Sequence, residues 1–181
     1  LIVIGGGAAG YFSAITAAER LPANGKVAIL EKSSRVLGKV RISGGGRCNV
    51  THDCLDPKRL ATHYPRGAKS LIGSFHRFGT EQTIEWFSQR GVALHVEEDG
   101  RMFPTSNSSE TIIDCLSRAA ERAGIECVTS CPVTTISRRD NGSFELQLKN
   151  GDVLTANNVI IATGGTRSPE GSRLAESLGH S

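Results

Sequence analysis

The chain has 181 residues, 38% hydrophobic and 22% charged, with 21 basic against 18 acidic side chains and a net charge of +3. This composition suits a soluble globular fold, and so mild a balance gives no whole-chain argument for nucleic acid or an anionic membrane as partner. No apolar run approaches the roughly 18 residues of a membrane span, and five cysteines without Cys-x-x-Cys spacing fit reduced thiols rather than a disulfide framework.

Leu1–Ile4 is a short apolar run closed by glycine, the pattern of a buried parallel strand. Ala8–Arg20 reads as a helix, Pro22–Gly25 as punctuation and Lys26–Glu31 as a second strand, which together make a βαβ unit. Residues 33–56 are polar and glycine-rich with little periodicity, and are expected to form a long functional loop. Asp56-Pro57 is placed to cap a helix through about Thr62, and Lys69–Phe78 and Glu81–Arg90 read as two more helices. Phe78, Trp86 and Phe87 are expected in the core. Val92–Val96 and Arg101–Phe103 read as extended, with Asp99-Gly100 as a turn between them and Pro104 as a stop.

Ser109–Ala123 is the clearest amphipathic helix, with Gly124 at its end. After a strand at Ile125–Val128 come Val133–Ser137, Phe144–Leu148 and Val153–Ala156, separated by Asn141-Gly142 and Asn150-Gly151. Those turns predict a three-stranded antiparallel meander. Val159–Ala162 is a buried strand running into Thr163-Gly164-Gly165, and Leu174–Leu178 reads as helical. The fold class that follows is α/β: a Rossmann-like domain with a central parallel sheet, helices on both sides and an antiparallel meander. The chain starts inside a strand and stops just after a helix-like stretch, so residues 1–181 are expected to be the N-terminal portion of a longer protein.

Three motifs carry chemistry. In Gly5-x-Gly7-x-x-Gly10, Gly5 permits a sharp turn, Gly7 lets backbone approach a pyrophosphate, and Gly10 lets helix and strand pack closely. Ala8 and Ala9 open the helix whose amides would face phosphate oxygens. Glu31 ends the second strand, where a carboxylate can accept hydrogen bonds from ribose hydroxyls and would repel a 2′-phosphate. The second motif, Ser43-Gly44-Gly45-Gly46-Arg47-Cys48-Asn49, frees backbone to lie against a flat or anionic group, with Arg47 as a forked donor. The third, Ala162-Thr163-Gly164, brings backbone to the same sheet edge as the glycine loop. From these residues alone, both FAD and NAD fit the first motif.

The glycine loop, Glu31, the meander and Ala162-Thr163-Gly164 resemble the glutathione-reductase-type two-dinucleotide-binding flavoproteins. Ile42–Thr51, Gly100–Pro104 and Leu178-Gly179-His180 are similar to the BaiN-like, or aminoacetone-oxidase-family, NAD(P)/FAD-dependent oxidoreductases. The resemblance implies FAD as cofactor and NAD(P)H as reductant of a small-molecule substrate. It implies a cofactor-binding set of Gly5, Gly7, Ala8, Ala9, Gly10, Glu31, Lys32, Lys39, Gly45, Gly46, Arg47, Val133, Thr163 and Gly164. In that set Val133 presents backbone to the adenine, while Lys39 and the Gly44–Arg47 segment lie toward the pyrophosphate and flavin. It also implies an inserted domain and a C-terminal return that this chain does not include. The chain departs from the family's pattern at Val40, at His52 and in the short segment after Gly165.

No catalytic residue is assigned, and no spacing suggests a metal site. Cys48, beside Arg47, is expected to be structural rather than redox-active, and His52 to be a loop histidine rather than an acid–base group. A cytoplasmic setting is expected, with an organellar one left open by the N-terminus. The partners expected are a small molecule, and neither nucleic acid nor membrane. Two other readings are an NAD-binding dehydrogenase and a flavin-dependent RNA-modification or interaction protein.

Overall fold

A computed structural model describes residues 1–165 and 170–180. In chain order its elements are β1 (Ile2–Ile4), α1 (Ala8–Ala18), β2 (Ala28–Leu30), α2 (Gly38–Ile42), a 3-10 turn (Ser43–Gly46), β3 (Thr51–His52) and α3 (Pro57–Thr62). Next come α4 (Ala68–Arg77), α5 (Thr80–Ser88), β4 (Leu94–Val96), β5 (Arg101–Pro104) and α6 (Ser109–Arg122). The chain closes with β6 (Glu126–Val128), β7 (Val133–Arg138), β8 (Phe144–Leu148), β9 (Val153–Ala156), β10 (Val159–Ile161) and α7 (Glu170–Glu176). Two packed units result: Leu1–Lys39 with Leu116–Ser181, and Val40–Cys115.

The first unit is built on a parallel sheet in the order β10-β1-β2-β6. Its central strands β1 and β2 are short and apolar because both their faces are covered, whereas the edge strand β6 carries Glu126 and is largely exposed. Val3 and Ile29 are fully buried, and Val3 lies beneath α1, with its Cγ1 3.6 Å from where a Gly10 side chain would begin. Gly10, Tyr11, Ala14 and Ile15 make the buried stripe of that helix. On the other face, Ile2, Ile4 and Leu30 join Ile136, Leu146, Leu148 and Ala156 of the meander and Leu174 of α7 in one core cluster. The meander has the order β7-β8-β9, as its two Asn-Gly turns predict.

The second unit holds a small antiparallel sheet in the order β3-β5-β4. Asp56 caps α3, accepting hydrogen bonds from the backbone amides of Lys58 at 2.8 Å and Arg59 at 3.3 Å, with Pro57 in the first turn. Residues 33–56 are more ordered than their composition suggests. They contain α2, the 3-10 turn and β3, each too short to impose a readable period. Phe87 is buried as expected, but Phe78 is 38% exposed because α4 ends one residue before it and the chain turns out. Among the described residues, no helix is long and apolar enough to cross a membrane.

Candidate functional site

The glycine loop leaves β1 through Gly5, where a φ of +112° and an Ala162 carbonyl oxygen 2.5 Å from where a Cβ would stand exclude a side chain. Gly10 is tighter still: a Cβ there would lie 1.8 Å from the Gly5 carbonyl oxygen. Gly7 differs from both. It has ordinary extended backbone, and nothing lies within 4 Å of where its Cβ would stand. It is also the N-cap of α1, with no side chain capping the helix and no acidic residue in the first turn. The amides of Ala8, Ala9 and Gly10 precede the first helical hydrogen bond, which Tyr11 N–H makes to the Gly7 carbonyl at 3.0 Å. Uncapped amides, the positive end of a helix and open space above glycine make an anion-binding cradle.

Glu31 is tied into this loop. Its Oε2 accepts the Gly6 N–H at 2.7 Å, and its Oε1 accepts the Ser33 N–H at 2.8 Å and the Ser33 hydroxyl at 2.5 Å. Leu37 N–H adds a bond to the Gly6 carbonyl at 2.7 Å. Burial pushes the Glu31 carboxyl up, but the hydrogen bonds from Ser33 and Gly6 and the charge of Lys32 outweigh it, holding the group below the usual glutamate value. Glu31 is therefore ionised at neutral pH and retains lone-pair capacity on Oε2.

A cleft of about 570 Å³ opens beside the loop. Gly5, Glu31, Lys32, Val133 and Thr163, all expected from the sequence, line it together. Lys39 reaches the same region: its Nζ donates to the Gly165 carbonyl at 2.8 Å and lies 3.6 Å from the space above Gly164. Several lining residues were not foreseen, among them Cys131, Pro132, Thr134, Lys149, Gly171 and Arg173. Lys149 arrives through the β7–β8 pairing, since Val133 pairs with Leu148 and Lys149 N–H bonds to the Pro132 carbonyl at 3.0 Å. Gly171 lets α7 close onto Thr163, whose Oγ1 would be 2.3 Å from an added Cβ. Lys32, Lys149 and Arg173 outnumber Glu31 among the charged side chains of the cleft, which favours an anionic guest. The helix start, the anchored acid and the basic walls fit the pyrophosphate and ribose of a dinucleotide.

Gly45, Gly46 and Arg47 belong to the second unit. Gly44 and Gly45 have φ of +56° and +69°, and a Cβ on Gly44 would lie 2.7 Å from the Phe103 ring. The Arg47 guanidinium stacks on that ring at 4.0 Å, pairs with Glu97 and donates from Nε to the Gly44 carbonyl at 3.3 Å. Part of its donor fork is thus used to hold the loop, and the remaining N–H donors are what it can offer a ligand. Cys48 is buried; burial raises its thiol pKa above the usual cysteine value, more than a hydrogen bond with Ser43 lowers it. That does not favour a reactive thiolate. His52 stacks on His63 at 4.8 Å and faces the Asp99 carbonyl through Nε2 at 3.2 Å, packed against Gly100. Among the described residues, no group of three or more His, Cys, Asp or Glu side chains could hold a metal.

The sequence profile of the family described as "HI0933-like protein Rossmann domain" matches residues 1–181. Two curated relatives are each 29% identical over 184 residues, covering 98% of this chain. They are the ribosomal RNA dihydrouridine synthase of Escherichia coli and the 3-dehydro-bile acid delta(4,6)-reductase of Clostridium scindens. The chain spans 44% and 43% of their lengths, less than half of each. Among solved structures, Thermovibrio ammonificans THI4 matches with a TM-score of 0.64 at 15% identity, over 97% of this chain and 60% of that one. A 3-ketosteroid-delta4-(5alpha)-dehydrogenase from Rhodococcus jostii matches at 0.62 and 17%, over 87% and 44%. These likenesses show the same fold.

Proposed function

We propose, from the premise that the chain belongs to the HI0933-like protein Rossmann domain family, that it is the FAD-holding part of an oxidoreductase. The observation that carries this is the cleft in which Gly5, Glu31, Val133 and Thr163 meet beside the uncapped start of α1. In this reading the amides of Ala8–Gly10 and the open space at Gly7 take the pyrophosphate. Glu31 Oε2 takes a ribose hydroxyl, and Val133 presents its backbone to the adenine. Lys39, held at the Thr163–Gly165 turn, stands toward the flavin side. When bound, FAD supplies the hydride or electron chemistry, which none of these side chains can perform.

The names of the two curated relatives support a narrower reading for the complete protein: reduction of a carbon–carbon double bond conjugated to a carbonyl. NAD(P)H, which the sequence resemblance implies, is the reductant in this proposal. Dihydrouridine is uridine with hydrogen added across its C5–C6 double bond, and a delta(4,6)-reductase is named for the double bonds it acts on. Each name describes net addition of hydrogen across a double bond, which in this proposal is a hydride to one carbon and a proton to the other. The test is the visible spectrum of the complete purified protein, identification of the released cofactor, and bleaching by NADH or NADPH under anaerobic conditions. A yellow protein that releases FAD supports the reading. A colourless protein that FAD does not reconstitute overturns it, and tight NAD binding without flavin affinity supports an NAD-binding dehydrogenase instead.

A further inference from the structure

The chain's mild net charge conceals a local concentration. Residues 57–80 contain Lys58, Arg59, Arg66, Lys69 and Arg77 and no acidic side chain. Removing those five from the 21 basic residues leaves 16 against 18 acidic ones, so this segment accounts for the positive balance. It folds as the α3–α4 helical hairpin of the second unit. All five cations are exposed, as are His63 and His76, and none of the five forms an ion pair among the described residues.

The arrangement has three further properties. At 100° per residue, Lys69, His76 and Arg77 share one side of α4, opposite the half-buried Leu71 and Phe75. Gly67 starts α4 with no side-chain cap and no acidic residue in the first turn, so the helix's positive end lies between Arg66 and Lys69. Aromatic rings are interleaved with the charges: Tyr64 is 43% exposed, Phe78 is 38% exposed, and Tyr64 packs on Phe75 at 5.3 Å. Unpaired cations with exposed rings between them suit a strand that offers both phosphates and base faces. An anionic membrane would need an outward apolar face, and the apolar side of α4 is instead partly covered. We infer that the α3–α4 hairpin is an RNA-binding surface that holds single-stranded RNA chiefly through its phosphates. This departs from the expectation drawn from net charge, and it stands on the second unit alone, without the cofactor reading.

The test uses the complete protein. A fluorescein-labelled single-stranded RNA of about 30 nucleotides is titrated by anisotropy between about 50 and about 300 mM KCl. The expected result is an affinity whose logarithm falls linearly with the logarithm of salt concentration. The triple variant Arg66→Gln, Lys69→Gln, Arg77→Gln should bind about tenfold or more weakly and flatten the slope by about 2. The control triple Arg20→Gln, Arg118→Gln, Arg122→Gln removes the same charge from exposed positions elsewhere and should change neither. Absence of RNA binding, equal losses in both triples, or binding to phosphatidylglycerol vesicles in place of RNA overturns the inference. The flavin spectrum is read on the same samples. In the wild-type protein, RNA binding without flavin counts against the cofactor reading only, and flavin without RNA binding counts against the hairpin only. In the hairpin triple, wild-type flavin content beside weakened RNA binding is the expected result.

Discussion

Glu31 Oε2 accepts the backbone N–H of Gly6 at 2.7 Å, so the acid at the end of β2 shapes the loop that ends β1. The bond gives Glu31 a structural role separate from any ligand. Its carboxyl titrates below the unfolded value, which is about 4.3. The stability it contributes is therefore fully present above that value and is lost as pH falls through the lower native one. Glu31→Gln should cost about 1 kcal/mol at pH 7, and the gap to wild type should narrow on acidification below about pH 4. Thermal melts of the two proteins across pH check this; a gap independent of pH would mean the charge contributes nothing.

The three motif glycines should fail in different ways. At Gly10 an alanine would place its Cβ 1.8 Å from the Gly5 carbonyl, a backbone atom that cannot move without opening β1 from α1. Gly10→Ala should destabilise the protein by about 1–3 kcal/mol or more. At Gly7 an alanine meets no protein atom within 4 Å and no unfavourable φ. Gly7→Ala should stay within about 1 kcal/mol of wild type, yet lose FAD, because the methyl occupies the space assigned to the pyrophosphate. Melting temperature and flavin content, measured on both variants, separate the two roles. Full flavin content in Gly7→Ala would remove the pyrophosphate from that position.

The contrast shows what was legible in the sequence. The glycine spacing gave three distinct physical reasons, and the structure supports the turn at Gly5 and the close approach at Gly10. Glu31 was legible as a position but not as a partner of Gly6 and Ser33, because those bonds exist only once two strands lie side by side. Lys149 was legible in principle: pairing the strands across Asn141-Gly142 puts it next to Pro132, and hence at the cleft. Arg173 and Gly171 had no such signal, since their place depends on how α7 packs against β10. The basic hairpin was present in the sequence all along, but whole-chain net charge averages it away.

Cysteine reactivity should follow burial and the cleft. Cys48, Cys54 and Cys115 are buried, Cys127 is exposed, and Cys131 is half-buried on the cleft wall. In the native protein Cys127 should alkylate first and Cys131 more slowly, since burial and the charge of Asp152 raise its thiol pKa. Added FAD should protect Cys131 and leave Cys127 unchanged, which mass spectrometry of iodoacetamide-treated protein resolves. Cys48→Ser should leave turnover of the complete protein unchanged. Rapid labelling of Cys48 at neutral pH would contradict its burial.

Arg47 should act as a brace within the second unit as well as a candidate ligand. Its guanidinium lies 4.0 Å over Phe103, a fully buried ring, and pairs with Glu97, which Arg101 also approaches at 3.5 Å. A stacked guanidinium of this kind contributes about 0.5–1 kcal/mol, and lysine cannot reproduce its planar fork. Arg47→Lys should therefore lower stability by about 1 kcal/mol even without cofactor. In a double-mutant cycle with Glu97→Gln, Arg47→Met should show a coupling of about 0.5–1 kcal/mol. An arm held only for a ligand predicts the opposite pattern: no stability change in the cofactor-free protein and no coupling to Glu97. Denaturant melts of the four cofactor-free proteins distinguish the two, because the brace is made of contacts present before any ligand arrives.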